Sequence, residues 1–227
     1  MIAFVGSDTT ITLGEFAIHQ PVTAITNIMI AAFCLTYSLK LKQLNSNDES
    51  LVYWRYYLNF LMGATLLGAC THALFAQHEG FGYMSFWLAT QAVNCIGVYA
   101  AQKAMLTSVL NESANKNLYT KLINIQLVVF IIAVFVFKNF MVVVLNTAFG
   151  FIPIFYTHLI DSRKNPESMW IVMGVVVLFS TAITFIGKFS LHKYFNFLDI
   201  SHVLIMIKLT MFFVGIKRKT LQQLSAA

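Results

Sequence analysis

The chain has 227 residues, of which 58% are hydrophobic and only 11% are charged, with a formal net charge of +6. A soluble domain carries about 25% charged residues, so there is too little polar surface here to cover a water-soluble globule, and that class is excluded before any motif is read. In a membrane chain an excess of Lys and Arg reports basic cytoplasmic loops beside anionic lipid; membrane lipids are the expected partners and nucleic acid is not.

The opening segment, MIAFVGSDTTITLGEF, has neither a basic n-region nor a long apolar h-region. No cleavable signal peptide is read, and the first span would itself serve as the membrane signal. A transmembrane helix needs about 20 mostly apolar residues. Seven segments qualify, at 21–39, 56–76, 81–101, 122–137, 140–160, 169–186 and 195–216. The apolar runs are continuous and lack a period of two, which argues against a β-barrel; a helix is the open-chain structure that satisfies its own backbone in hydrocarbon. NSNDES at 45–50, NESANKN at 111–117 and DSRKNPES at 161–168 are polar connections, the last with a proline that helps end a helix. A short piece around 77–80 joins the second and third spans, and Lys138–Asn139 makes a tight hairpin between the fourth and fifth. There is no repeat or low-complexity segment. The fold class read from the sequence is therefore all-α, an integral membrane bundle of seven transmembrane helices in a single domain, 1–227.

Orientation follows from the basic residues. One side collects eleven of the 15: Lys40, Lys42, Arg55, Lys103, Lys116, Lys121, Arg163, Lys164, Lys217, Arg218 and Lys219. The other has Lys138, Lys188 and Lys193, and Lys208 lies within the seventh span. The richer side is expected to be cytoplasmic, which puts the N-terminus outside and the C-terminus inside.

With that orientation, polar residues far apart in sequence share one membrane depth. Glu15, His19 and Gln20 precede the first span, His72 ends the second, His78 and Glu79 follow it, and Asp199 and His202 open the seventh, all toward the outer face. Ionisable groups at membrane depth face a cavity or a partner. Asp199 and His202, three apart, point nearly the same way around a helix. Imidazole and carboxylate together suit Zn²⁺, whose catalytic sites keep three protein ligands and a water; interfacial histidines also serve as hydrogen-bonding or snorkelling groups. Cys34, Cys70 and Cys95 lie in apolar stretches and form neither a disulfide framework nor a zinc motif.

Lys208 is six residues past His202 and about 120° away around the helix. One reading is a retinal Schiff base, because microbial rhodopsins carry a lysine in their seventh helix. Against it, Leu204 stands one turn before Lys208 where an aspartate would serve, and the sixth span lacks the aromatic–proline pattern of a retinal pocket. The other reading is a lysine that snorkels to the cytoplasmic face or meets a helix carbonyl. Gln91, Asn94, Asn146, Thr181 and Thr184 are expected to make interhelical hydrogen bonds. His158 and His192 are read as solvated. Tyr53, Trp54, Tyr56, Tyr57 and Trp170 fit an interfacial aromatic belt.

Three pieces together resemble the superfamily of alkaline ceramidases and progestin–adiponectin receptors. QPVTAITN (20–27) is similar to the E-x-x-N-x-x-S-N pattern that opens that family's first helix: Asn27 matches, Thr26 stands for serine and Gln20 replaces the glutamate. GACTHALF (68–75) resembles S-x-x-x-H, with His72 matching and Gly68 in place of serine. FNFLDISHVL (195–204) looks like H-D-x-x-H, with Asp199 and His202 matching and Leu198 replacing the first histidine. The family's aspartate after the second-helix histidine falls near Tyr83 and is missing. A bacterial group of seven-helix proteins ends in a similar F-N-x-x-D-x-x-H segment, and a bacterial inner membrane is the location this implies.

The resemblance implies a metal-dependent lipid amide hydrolase with an outward-facing pocket. His72 and His202 would hold Zn²⁺, Asp199 would be the catalytic carboxylate orienting a histidine or water, and His19, Gln20, Asn27, His78 and Glu79 would line the pocket. Two ligands in place of three lower the expected zinc affinity unless His19, His78 or Glu79 supplies another. The alternative is a non-catalytic sensor, lipid binder or complex subunit on the same scaffold.

Overall fold

The computed structural model describes residues 9–13, 16–75, 80–110, 114–192 and 194–226. Seven helices run through them: α1 (Pro21–Lys42), α2 (Glu49–Leu74), α3 (Phe81–Ser108), α4 (Lys116–Phe137), α5 (Met141–Asp161), α6 (Ser168–Gly187) and α7 (Phe197–Ala226). An antiparallel hairpin, β1 (Thr10–Leu13) and β2 (Phe16–His19), precedes them and pairs Thr10 with His19. The hairpin is absent from the sequence expectation, although TITL and FAIH are separated by two residues beginning with glycine, a common hairpin spacing.

Local chemistry sets the helix starts. Pro21 opens α1, where its missing N–H has no role. Asp48 caps α2 by accepting from the Ser50 N–H at 2.9 Å, so that helix starts inside the expected 45–50 loop. At α7, Asn196 Oδ1 accepts from the Leu198 N–H at 2.8 Å while Asp199 Oδ2 accepts from the Asn196 N–H at 2.8 Å. That reciprocal pair is a capping box. The far end of α7 continues ten residues past the expected 216, clamped by Lys219 to Asp161 at 2.9 Å and by Arg218 to Glu167 at 3.6 Å.

Five helices, α1 and α4–α7, are long and apolar enough to cross a membrane. At 26 and 28 residues α2 and α3 are long too, but they are richer in Thr, Gly, Tyr, Gln and Asn. Several of these, Thr65, Thr71, Gln91 and Gln102 among them, are buried in the interior. The helices close a ring: α1 packs on α2 and α7, α2 on α3, α3 on α5, α5 on α6, and α6 on α7. α4 stands outside against α3 and α5, with 11% of its apolar window buried where α1 has 44%. Gln126 ties it in, accepting from Gln102 Nε2 at 3.0 Å and donating to Asn146 Oδ1 at 2.9 Å. Asn146 thus meets its expectation of an interhelical bond, whereas Thr181 and Thr184 donate to carbonyls of their own helix.

The core at the Lys/Arg-rich end corrects the aromatic-belt reading. Trp54 and Tyr57 are each 2% exposed, because positions 54, 57, 58 and 61 form one buried stripe of α2. Trp54 packs on Phe212 at 5.6 Å between centroids, and Phe212 stacks on Phe151 at 5.9 Å. Tyr56, on the opposite face, is exposed. His158 is also buried rather than solvated, with Nδ1 3.3 Å from Ser168 Oγ.

Candidate functional site

The end of α2 and the starts of α1, α3 and α7 meet at one end of the ring and surround a cavity of about 210 Å³. Gln20, Asn27, His72 and His202 all line it. Gln20 takes a left-handed conformation at the α1 N-cap, φ 43°, held by its N–H donating to the Thr9 carbonyl at 2.9 Å. The turn sends its side chain to His72, where Oε1 lies 2.6 Å from Nδ1. An amide oxygen only accepts, so His72 Nδ1 carries the proton. His202 is held in the same way, with Nδ1 2.7 Å from Thr26 Oγ1, which also lies 3.1 Å from the Thr23 carbonyl. The hydroxyl donates to Nδ1 in one tautomer and accepts from Nδ1–H in the other. His72 keeps its Nε2 lone pair for whatever occupies the cavity, the arrangement that anchored metal-binding imidazoles also show, and His202 does so in its Nδ1–H tautomer.

Asp199 has a different place. It is fully buried, with Oδ1 accepting from Thr23 Oγ1 at 2.8 Å and Oδ2 closing the α7 capping box. It is outside the cavity lining, which at this turn is supplied by Leu198 and His202. His19 is buried, with Nδ1 3.1 Å from Thr10 Oγ1 across the hairpin, and is not a lining residue. His78 and Glu79 lie outside the described residues. Asn27 lines the cavity beside Gly68 and donates from Nδ2 to the Thr23 carbonyl at 2.9 Å.

A contribution the sequence reading missed comes from α3. Tyr83, Trp87, Thr90, Gln91 and Asn94 line the cavity, at spacings of four, three, one and three that mark one helix face. That stripe was legible. Gln91 is 1% exposed, and neither its amide nitrogen nor its oxygen has a protein partner.

A second chamber of about 190 Å³ continues from the first and shares Leu61, Asn94, Leu198, His202 and Ile205 with it. Its deep end is lined by Tyr57 and Lys208. Lys208 does not snorkel: it is 3% exposed and donates from Nζ to the Tyr57 hydroxyl at 2.8 Å. Its stem offsets the angular separation from His202, so both side chains reach one chamber.

For zinc, the donor set among the described residues falls short. The described residues contain no group of three His, Cys, Asp and Glu side chains able to hold an ion, and a catalytic zinc needs three protein ligands. Leu198 fills the cavity position where the resemblance places a third imidazole.

The ring of helices around a polar-ended internal cavity defines a helical bundle with an interior chamber. The chain belongs to the family described as a family of unknown function (DUF6962), whose model matches residues 22–221, from the start of α1 to near the end of α7. No curated protein and no solved structure matches the chain.

Proposed function

We propose that this is an integral membrane protein of seven spans, N-terminus outside and C-terminus cytoplasmic, that binds an amphipathic small molecule in the chamber between its helices. Eleven of the 15 basic residues on one side support the orientation, and a bacterial inner membrane fits that charge pattern. The reading is carried by one observation: the cavity combines apolar walls with the His72 and His202 rings, both held through Nδ1, and with the partnerless Gln91 amide. Ligand pockets have this composition, mostly apolar with a few placed polar groups. Asp199 acts as a positioning residue that holds the start of α7 and hence His202.

The experiment is extraction of the detergent-purified protein followed by mass spectrometry of what it releases. One class of amphiphile should be retained by the wild type and lost from Ala64→Phe, which fills the chamber from α2. Equal retention by the two proteins would sink the reading. The anchored imidazoles favour a second reading, the metal-dependent amide hydrolase of the ceramidase type. Stoichiometric zinc that disappears in both His72→Ala and His202→Ala would replace the binding reading with that one.

A further inference from the structure

Lys208 is a cation-forming group placed in the middle of α7, eleven residues from Phe197 or roughly 16 Å along the axis. Its Nζ is buried, and the ion pairs among the described residues do not include it. Its ionisable neighbours are the Tyr57 hydroxyl and the Cys34 thiol, neither of them a carboxylate. Asp199, the nearest acid along α7, has both oxygens engaged at the helix start. The rings of Tyr57 and Phe212 lie 5.5 and 5.9 Å from Nζ and soften the burial without neutralising it.

Two states satisfy such a lysine: a neutral amine in a closely packed site, or an ammonium paired with an anion from outside the chain. Close packing is not what surrounds it. The inner chamber of about 190 Å³ opens beside it, and Nζ has donors left after the bond to Tyr57. From Lys208 the chamber extends to Leu198, ten residues or roughly 15 Å along α7. Between them its walls are mostly apolar, with Val143, Phe151, Leu178 and Ile205, and carry the polar groups of Asn94, Thr147, Thr181, Ser201 and His202. The shape is a long, largely apolar slot with a positive group at one end.

We propose that the inner chamber binds a single-chain carboxylic acid, with the carboxylate on Lys208 Nζ and the Tyr57 hydroxyl and the hydrocarbon chain running along α7 toward Leu198. This names the ligand class of the binding function proposed above and rests on that reading. The carboxylate accepts from Nζ as a charge-assisted hydrogen bond in a water-poor site. The Tyr57 hydroxyl, which accepts from Lys208, still has its own proton to donate to a second carboxylate oxygen. An alcohol of equal length keeps the apolar contacts and loses the charge.

The test measures binding of dodecanoate, dodecanol and dodecanal to the full chain in nanodiscs. The proteins are the wild type, Lys208→Met, Lys208→Arg and Tyr57→Phe, each checked for an unchanged thermal midpoint. Dodecanoate should bind saturably and at least about tenfold more tightly than dodecanol. Lys208→Met should abolish that preference and Lys208→Arg should keep it. With carboxyl-labelled dodecanoate, the carboxyl resonance should shift on binding to wild type and not with Lys208→Met, a readout that a purely structural lysine would leave alone. If acid and alcohol bind equally and Lys208→Met changes neither, the lysine inference is overturned while the binding function stands. If no amphiphile binds saturably, both fall. Borohydride trapping of dodecanal on Lys208, without a dodecanoate preference, would also overturn it in favour of carbonyl chemistry.

Discussion

A hydroxyl has one hydrogen, and at Thr26 its direction sets the state of a histidine 176 residues away. His72 and His202 line one cavity, and among the described residues no third donor joins them. Leu198 already lines the cavity one turn before His202. Leu198→His is therefore expected to bind one zinc per chain at micromolar or better affinity, read by metal analysis after dialysis; absence of zinc would mean that the two Nε2 atoms do not converge. Asp199 makes the opposite point. Its neighbourhood is one of support: the cap of α7 and the Thr23 hydroxyl. Asp199→Ala should destabilise the protein by roughly 1–3 kcal/mol, from the lost cap and the stranded hydroxyl. A thermal midpoint equal to that of the wild type would remove the structural assignment.

The helices associate through small residues where backbones approach. A Cβ built on Gly174 of α6 would fall 2.5 Å from the Phe212 ring of α7, which is stacked on Phe151 and cannot withdraw. At Gly63 of α2 the nearest neighbour of such a Cβ is Val93 at 3.7 Å, an ordinary contact. Gly174→Ala should then cost about 1–3 kcal/mol by overpacking, and Gly63→Ala should stay within about 0.5 kcal/mol of wild type; thermal unfolding in detergent compares the two. α4 shows what an element looks like when it does not build the interior. Leu122, Ile125, Val128, Val129, Ile132 and Phe135 are all exposed and recur at the spacing of one broad helix face, as on a helix whose outer side meets lipid.

The ring as a whole gathers its polar groups inward and leaves its outer faces apolar. That arrangement explains why α2 and α3 are less apolar than the other helices: their interior faces line the cavity with Thr65, His72, Thr90, Gln91 and Asn94. In a seven-span topology they still cross. Phe81, at the start of α3 and 91% exposed, decides the matter. In a cysteine-free background, Phe81→Cys should react with an impermeant maleimide added to intact cells. Asn47→Cys, before α2, should react only after permeabilisation. If α2 and α3 enter and leave on the same side, both cysteines would stay protected in intact cells.

Composition, apolar run length and basic-residue asymmetry determined the helical class, the seven elements and an expected orientation. These are local or summed properties, and a helix start such as Asn196–Asp199 was also legible as a capping box although the sequence reading assigned its aspartate to chemistry. Depth clustering brought out His72, His202 and Gln20, and the family resemblance Asn27; the four share one cavity. Only the tertiary structure decided that His19 turns to the hairpin, that Thr23 and Thr26 of α1 hold Asp199 and His202 of α7, and that Lys208 meets Tyr57 across 151 residues. Those contacts exist because the ring closes α7 onto α1, and closure depends on how whole helix faces fit together, which no window along one chain contains.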